Sequence, residues 1–237
     1  MVSPLVSILV ATQDRHHFIP QLLRHIDAQT YPRDRIEIVV GDDGPLSSRH
    51  LWPKGTKIIR YHTPVRLGKK RNDLKTLARG DFLVTMDDDD FYFPRYVEHA
   101  VEVLSRPDSV GIAALDTAYI FYPIRWSLEI SGPWKEAWPG ASFCYTREYA
   151  QTHQFHTTAT SGEEWLFTDW NRIIPDKLDP EQTMIVTSHT NNCSNKNNLV
   201  GRKPADTRLE DHVTHPTSLH FYRVLAGQMR QSGPQWM

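Results

Sequence analysis

Residues 82–94 read FLVTMDDDDFYFP: an aliphatic run, four consecutive aspartates and an aromatic run that ends at a proline. The aliphatic run predicts a buried strand over residues 82–86. A run of acidic residues most often belongs to a solvated face, but apolar residues on both sides favour a position at the carboxyl edge of a sheet. Open α/β sheets bind their ligands at this edge. The stretch therefore predicts an α/β fold with a polar site at the end of one strand.

The spacing of the aspartates indicates what such a site could bind. In extended backbone, Asp87 and Asp89 point to the same side of the chain, ~6.5–7 Å apart. Their carboxylate oxygens suit Mg²⁺ or Mn²⁺ that bridges to the phosphates of a ligand. Without a cation, adjacent carboxylates in a partly desolvated site repel one another. We therefore expect a divalent cation here.

Outward from this stretch, the first half of the chain alternates short apolar runs with segments of helical periodicity. This alternation is typical of βαβ units and a mostly parallel sheet. In the first helical segment, Phe18, Leu22 and Ile26 recur at helical spacing, which predicts an amphipathic helix. The predicted strands are residues 5–11, 35–41, 56–62, 82–86 and 110–115, and the predicted helices begin near residues 18, 67 and 94.

The second half is less regular. The polar stretch at residues 191–216 has few aliphatic side chains, and we interpret it as a lid or a disordered connector. The other predictions are strands interrupted at Pro123 over 119–129, a loop over 132–140, a helix over 163–173, a strand over 183–188 and a helix over 217–229.

Charge and composition exclude several classes of protein. Lys and Arg number 27 against 28 Asp and Glu, so the formal net charge is −1, which argues against a nucleic-acid binder that works through a basic surface. No stretch has the ~20 apolar residues that a membrane span needs. Two cysteines cannot form a disulfide framework, and they fit a reducing compartment. No Lys or Arg precedes the first apolar run, so that run predicts a strand rather than a signal peptide. We expect a cytoplasmic protein.

The helix predicted over residues 67–79 carries an arginine on its apolar face. A turn of 100° per residue places Arg71 on the stripe of Leu74 and Ala78. A buried guanidinium needs an anionic partner, and arginine suits phosphate or carboxylate. Two partners are open: an aspartate of this protein, in an internal salt bridge, or a phosphate of a ligand.

Several motifs follow one another over residues 5–105. They are VSILVAT with Arg15 (6–15), QTYP (29–32), IVVGDDG (38–44), KRN and ARGD (70–81), and MDDDD (86–90). This ordered set resembles the family 2 glycosyltransferases and their relatives of the GT-A fold. The last motifs also resemble enzymes of bacteria and large DNA viruses that glycosylate surface or capsid polymers.

The resemblance implies a fold and an activity. The fold is α/β, with a mixed, mostly parallel sheet flanked by helices, in a single catalytic domain over residues 1–237. The nucleotide-sugar-binding half is 1–115, the acceptor half 116–190, and the polar loop and C-terminal helix 191–237. The activity is transfer of a sugar from a nucleotide-sugar donor, with a UDP-sugar favoured, to a glycan or other hydroxyl acceptor. Mn²⁺ or Mg²⁺ is the implied cofactor, and the chain also fits a domain of a larger glycosylation enzyme.

The resemblance also implies roles for residues. Thr12 and either Asp42 or Asp43 contact the nucleoside base, although Asp-Gly is also a common turn pair. Arg71 faces the diphosphate, Asp87 the ribose and Asp89 the metal. The other members of the predicted donor-binding set are Arg15 and Asp88, and a late histidine, His189, is a candidate metal or phosphate ligand beside Asp89 and Asp87.

Inverting transfer needs a carboxylate that takes the acceptor's proton. The family offers one in a Glu-Asp pair, and this chain has Glu163 and Glu164 at that place. Glu164 is the first candidate base and Glu163 the second. Ser161 and Glu164 also have the spacing of a capping box, in which Glu164 would only cap the helix.

Aromatic residues of the middle region offer a second alternative. Trp126, Trp134 and Trp138, with Tyr119 and Tyr122, could stack on the sugar of an acceptor or belong to the core. Two other functions are also compatible with the carboxylates: a metal-dependent nucleotidyltransferase, and a non-catalytic domain that binds a nucleotide sugar or carbohydrate. The loop after the first strand has no glycine, which counts against a nucleotidyltransferase of the sugar-nucleotide pyrophosphorylase kind.

Overall fold

The structure is a computed structural model that describes residues 3–135, 138–189, 192, 196, 199 and 201–231. The strands are β1 (Val6–Thr12), β2 (Ile36–Asp42), β3 (Lys57–Arg60), β4 (Phe82–Thr85), β5 (Phe91–Tyr92), β6 (Ile112–Ala114), β7 (Ala118–Tyr122), β8 (Ser127–Ser131), β9 (Cys144–Thr146), β10 (Asp176–Lys177), β11 (Met184–Thr187) and β12 (Lys203–Pro204). The α-helices are α1 (Ile19–Asp27), α2 (Leu67–Leu77), α3 (Tyr96–Leu104), α4 (Arg147–Thr152), α5 (Glu164–Phe167), α6 (Pro180–Thr183), α7 (Leu209–His212) and α8 (Pro216–Gln231).

The larger sheet has seven strands in the order β10-β6-β9-β4-β1-β2-β3. β1 pairs in parallel with β2 and β4, and β2 with β3, whereas β9 runs antiparallel to both of its neighbours. Nearly every residue of β1 and β2 is buried, as expected for central strands covered on both faces. The prediction of a mixed, mostly parallel sheet is confirmed.

Helices pack against this sheet through their apolar faces. Ile19, Leu22 and Ile26 of α1 are fully buried, which confirms the first amphipathic helix. In α2, Arg71 is buried together with Leu74 and Ala78. The prediction of an arginine on the apolar face of this helix is confirmed.

A second sheet, which we did not predict from the sequence, has the order β12-β8-β7-β11-β5. The aromatic residues after the four aspartates form β5 and pair with β11, while the aliphatic residues before them form β4 in the larger sheet. The acidic run is therefore the link between the two sheets. Its aspartates do not continue as extended backbone, because the chain turns at Asp88 and Asp89 to pass from one sheet to the other.

Two predictions for the second half are wrong in part. The helix expected over 163–173 is only the short α5, because Asp169, Trp170 and Asn171 adopt left-handed backbone angles that end it. The stretch expected to be a lid or disordered connector contains β12 and α7 where the structure describes it, and the rest of that prediction falls largely outside the described residues. Cys144 is buried and free. Among the described residues, no helix has the length and apolar character that crossing a membrane requires.

Candidate functional site

The carboxyl ends of β1, β2 and β4 lie at one edge of the larger sheet. Parallel pairing sets this, since Thr12 lies opposite Asp42 in the register of β1 and β2. The Thr12 hydroxyl donates a hydrogen bond of 2.6 Å to Asp88, so the end of β1 touches the acidic run that follows β4. Three separate motifs of the sequence thus meet at this edge.

Arg15 holds the middle of the acidic run. Its Nη1 lies 2.9 Å from Oδ1 of Asp88 and 2.8 Å from Oδ2 of Asp89. Burial raises the pKa of Asp88 to about 7, with the nearby charge of Arg15 acting against this rise and that of Asp89 adding to it. Burial therefore disfavours the charged form of Asp88 more than Arg15 and Thr12 favour it.

Asp89 pairs with the histidine at the end of β11. Nε2 of His189 lies 2.8 Å from Oδ2 of Asp89, and Asn192 donates to the same oxygen at 3.2 Å. Although burial opposes it, the hydrogen bond with His189 and the charge of Arg15 lower the pKa of Asp89 to about 2. The carboxyl group is thus ionised over the physiological range.

A divalent cation held by Oδ2 of Asp89 and Nε2 of His189 would replace the hydrogen bond between these two atoms. The same oxygen also contacts Arg15 and Asn192. Two ligands ~2.1 Å from one ion and about 90° apart lie ~3 Å from each other, close to the 2.8 Å between these two atoms. Among the residues that the structure describes, no cluster of three or more His, Cys, Asp or Glu side chains has the arrangement of a metal site. Asp87, the third predicted ligand, does not complete such a group. Mg²⁺ and Mn²⁺ commonly take one or two protein ligands and fill their other positions with phosphate oxygens and water.

Asp87 faces Arg71 instead. Its Oδ1 is buried without a hydrogen bond and lies 3.5 Å from Nη2 of Arg71, while its backbone N–H donates to the hydroxyl of Tyr92 at 2.6 Å. Burial raises the pKa of Asp87, against the charge of Arg71. This aspartate and the Asp89–His189 pair therefore face different partners.

Arg71 lies between the acidic run and the second half of the chain. It is only 4% exposed, and its guanidinium is 3.5 Å from both Asp87 and Glu163. Burial disfavours the charged form, but these carboxylates raise the pKa of Arg71 overall. Its Nε and Nη1 have no hydrogen-bond partner, and a Cβ at Gly140 would collide with Nη1. The internal salt bridge exists, yet it leaves a buried cation with unused donors.

The two aspartates at the end of β2 differ in how fully protein donors engage them. Asp42 accepts hydrogen bonds from Gly44 N–H (3.0 Å), from the Ser48 N–H (2.8 Å) and hydroxyl (2.7 Å), and from Arg60 (3.3 Å). Asp43 accepts from Lys70 at 2.5 Å and, at 2.9 Å, from a backbone N–H in the loop before α2. A carboxylate has about four acceptor positions. Those of Asp42 are filled, whereas Asp43 keeps about half of its capacity.

Glu163 and Glu164 stand at the start of α5. Glu163 occupies the N-cap position and no side chain caps the helix, so the capping box expected for Ser161 and Glu164 does not form. Glu163 is buried against Arg71, and Glu164 is half-buried. Burial and the neighbouring carboxylate of Glu163 raise the pKa of Glu164 to about 7. Glu164 thus has the protonation behaviour of a general base near neutral pH.

The aromatic residues of the middle region, for which an acceptor platform and the core were both open, are core residues for the most part. Trp138 is 5% exposed. Trp126 donates its indole N–H to Glu210 at 2.8 Å and packs edge-on against Phe121. Two other tryptophans, Trp165 and Trp170, have exposed side chains and were not predicted from the sequence as part of the site. Their position directly after the Glu163–Glu164 pair was the signal that could have identified them.

Solved structures with a similar fold are glycosyltransferases. One is the mannosyltransferase PcManGT from Pyrobaculum calidifontis in complex with GDP-Man and Mn²⁺, with a TM-score of 0.61 and 18% identity over 81% of this chain and 59% of that one. Another is residues 1–349 of S. aureus TarS in complex with UDP-GlcNAc, with a TM-score of 0.60 and 19% identity over 79% of this chain and 60% of that one. At these identities the likeness shows the GT-A fold.

Curated relatives and a family model give the same indication. The chain is 24% identical over 126 residues to an uncharacterized glycosyltransferase of Haemophilus influenzae, over 51% of this chain and 39% of the relative. It is 28% identical over 115 residues to one of Rickettsia felis, over 45% of this chain and 18% of the relative. The chain thus matches well under half the length of these relatives. The model of glycosyl transferase family 2 matches residues 7–169, more than half of the sequence, and the chain therefore belongs to this family.

Proposed function

We propose that this protein transfers a sugar from a nucleoside-diphosphate sugar to a hydroxyl group of a glycan or other acceptor, with a divalent cation. In the reaction, the bond between the anomeric carbon and the diphosphate oxygen breaks and the nucleoside diphosphate leaves with the electron pair. The acceptor oxygen forms the new bond from the opposite face, which inverts the configuration, and its proton passes to a carboxylate.

One observation carries this proposal: a buried, positively charged Arg71 with unused donors joins the acidic run to the Glu163–Glu164 pair. Its guanidinium is 3.5 Å from Asp87 on one side and 3.5 Å from Glu163 on the other. A structural salt bridge would gain from hydrogen bonds at both partners. Donors left without partners suit an anionic ligand such as a diphosphate.

The residues at the sheet edge would bind the donor. Asp43 is the better candidate for the nucleoside base, because it retains acceptor capacity that Asp42 has used. Thr12, Arg15 and Asp88 line the same edge, and Asp87 is the candidate for the ribose. Uridine is favoured by the family resemblance, although the structural neighbours include a guanosine donor as well as a uridine one.

Asp89 and His189 would hold the cation. A carboxylate oxygen beside an imidazole nitrogen suits Mn²⁺ better than Mg²⁺, which prefers oxygen ligands alone. When bound, the cation would neutralise charge on the departing diphosphate. Arg71 would hold the diphosphate from the other side.

Glu164 would take the acceptor's proton. A general base acts best when its pKa lies near the working pH, and the pKa of Glu164 is about 7. Glu163 would keep Arg71 in place and, through its charge, keep the pKa of Glu164 raised.

A thermal-shift screen tests the donor site. UDP, GDP and their sugars are added with Mn²⁺, with Mg²⁺ or with EDTA to the wild type and to Asp89→Ala. Asp108→Ala is the control variant, because Asp108 is an exposed aspartate that follows α3, outside the acidic run. A ligand that binds only the folded state raises the melting temperature. We expect metal-dependent stabilisation by one nucleoside diphosphate, lost in Asp89→Ala and kept in Asp108→Ala. No shift with any nucleotide would overturn the proposal.

The same screen separates catalysis from binding alone. A nucleotide sugar that stabilises the protein but is neither hydrolysed nor transferred with Mn²⁺ present would indicate a non-catalytic binding domain. The cytoplasmic location and the place within a larger glycosylation enzyme stay predictions.

A further inference from the structure

Exposed apolar side chains concentrate in one short segment after the Glu163–Glu164 pair. Trp165 is 46%, Trp170 56% and Ile174 68% exposed. Only eight large hydrophobic side chains are exposed among the residues that the structure describes, and these are three of them. Single exposed hydrophobic residues are ordinary, whereas a cluster indicates an interaction site.

The turn that carries Trp170 is held in an unusual backbone conformation. Asp169, Trp170 and Asn171 have φ values of 48°, 57° and 64°. Each left-handed residue other than glycine costs about 1–3 kcal/mol, and such residues persist only where the surroundings fix them. A surface loop without a role would not need an indole in this conformation.

Hydrogen bonds fix this turn. The N–H of Trp170 donates to the carbonyl of Trp165 at 2.6 Å, and that of Ile173 donates to the carbonyl of Thr168 at 3.1 Å. The hydroxyl of Thr168, which is fully buried, donates to the side chain of Asn171 at 3.2 Å. The exposed indole of Trp170 therefore projects from an anchored backbone.

The second exposed indole belongs to the residue that follows the candidate base in the chain. Trp165 follows Glu164 in α5. Its ring packs over Gly162, where a Cβ would approach the ring to 3.2 Å. The two tryptophans thus belong to the two ends of one short segment that starts at the carboxylate pair.

We propose that Trp165 and Trp170 form a stacking platform for a sugar ring of a carbohydrate acceptor, beside Glu164. This inference rests on the proposed glycosyltransferase function and names the chemistry of its acceptor. The apolar C–H face of a sugar packs on an indole, while its hydroxyl groups are free for hydrogen bonds with carboxylates.

The surrounding charges favour a neutral, hydroxyl-rich occupant. Glu163, Glu164 and Asp169 place three carboxyl groups within the segment, and the cation nearest in sequence, Arg172, lies 3.6 Å from Asp169. These carboxyl groups disfavour the binding of a nucleic acid or another polyanion. Because the platform and the carboxylate pair belong to one short segment, a sugar stacked on the indoles would have its hydroxyl groups near Glu164. This favours a carbohydrate over a protein as the occupant.

The test follows the indole N–H signals of the ¹⁵N-labelled protein by NMR. The seven tryptophans give separate signals, and Trp165→Phe and Trp170→Phe assign two of them. Cellobiose, maltose and N,N′-diacetylchitobiose are the probes, with UDP and Mn²⁺ present. We expect at least one disaccharide to shift the signals of Trp165 and Trp170 and to leave the other signals in place.

Variants then measure the contribution of the platform. Trp170→Ala should raise the dissociation constant of that disaccharide about tenfold, while Trp170→Phe should restore most of the affinity. Ile174→Ala is the matched control, because it removes an equally exposed apolar side chain of the same segment, and it should leave the affinity unchanged. All three variants should keep the stabilisation by UDP and Mn²⁺.

Three results would overturn the inference: no disaccharide shifts either signal, the shifts occur at other tryptophans, or the two signals move on dilution, which would indicate contact between copies of the chain. Failure of the proposed function looks different, since UDP with Mn²⁺ would then have no effect on the wild type.

Discussion

Two sets of carboxylates lie at the same edge of the larger sheet, after the two strands that flank β1, and their surroundings differ. Asp42, at the end of β2, accepts four hydrogen bonds from its own loop and from Arg60. In the acidic run after β4, Asp88, Asp89 and Asp90 are buried as well. Burial raises the pKa of Asp87, Asp88 and Asp90, and in Asp90 the charges of Asp89 and Asp87 raise it further. Protein donors fill the acceptor positions of Asp42, whereas burial disfavours the charged forms of Asp87, Asp88 and Asp90.

The difference separates a structural role from a binding role. A buried carboxylate whose acceptor positions are filled orders the loop around it and contributes to stability. Buried carboxylates that repel one another reduce stability until a cation or a ligand arrives. We therefore expect variants of Asp42 to affect folding and variants of the acidic run to affect ligand binding and turnover.

The largest effect is expected for Asp89→Asn. The amide keeps the shape of the carboxylate but loses its charge beside His189, so sugar transfer with Mn²⁺ should fall by about 10³. The free energy of unfolding should fall by about 1–2 kcal/mol, less than for Asp42→Asn, because Arg15 and His189 stabilise the charged form of Asp89 while the loss of its charge relieves repulsion within the acidic run. Activity assays and urea denaturation measure the two quantities. Full activity with Asn at this position would contradict a cation site here.

For Asp42→Asn, we expect the main effect on the free energy of unfolding and not on sugar transfer. An amide NH₂ would face the donors of Gly44 and Ser48, and at least one of these hydrogen bonds would be lost. Unfolding by urea should show a loss of about 2–4 kcal/mol. Asp108→Asn, at an exposed position, is the control. If Asp42→Asn is as stable as the wild type, the distinction between the two sets of carboxylates does not hold.

A pH profile examines the third set of carboxylates, Glu163 and Glu164. A base must be deprotonated, and the pKa of Glu164 is about 7 with Glu163 and Arg71 as its charged neighbours. The value of kcat/KM should therefore rise about tenfold per pH unit up to pH ~7, roughly 100-fold from pH 5. Glu164→Gln should lower kcat about 100-fold while donor binding survives. Wild-type turnover retained in that variant would remove Glu164 from the mechanism.

The smallest effect is expected for Asn72→Ala. The side chain of Asn72 donates to the carbonyl of Phe155 at 2.8 Å and accepts from its N–H at 2.9 Å, which ties α2 to the segment that leads to Glu163. Without this tie, kcat should fall about tenfold through misplacement of the base, with donor affinity unchanged. Thr76→Ala, on the exposed side of the same helix, should have wild-type kinetics. A change in donor affinity alone would argue against this positioning role.

Prediction from the sequence worked where a residue's role follows from its place next to a strand or on a helix face. The acidic run ends β4, the Asp-Asp-Gly motif ends β2, and Arg71 lies on the buried face of α2. In each case, short-range periodicity decides burial and the parallel sheet decides which ends meet. His189, predicted at the end of the strand before the polar loop, follows β11, and its side chain contacts Asp89.

Prediction failed where long-range contacts decide. The helix expected over 163–173 stops at Phe167, because the chain there enters a left-handed turn fixed by Thr168 and Asn171. For the tryptophans of the middle region the sequence left an acceptor platform and the core open, since nothing in the local sequence indicates the second sheet against which Trp126 packs.

The sequence by itself therefore determined the α/β fold, the family, and the edge of the sheet where the acidic residues gather, because strand periodicity and motif order are local properties. Only the tertiary structure decided which carboxylates have their acceptor positions filled by protein donors and which have a pKa raised by burial. It also decided that Arg71 joins Asp87 to Glu163 and that Trp165 and Trp170 remain exposed. These features depend on contacts between residues far apart in the chain, and the free energy of such contacts is set by burial and geometry that no local pattern encodes.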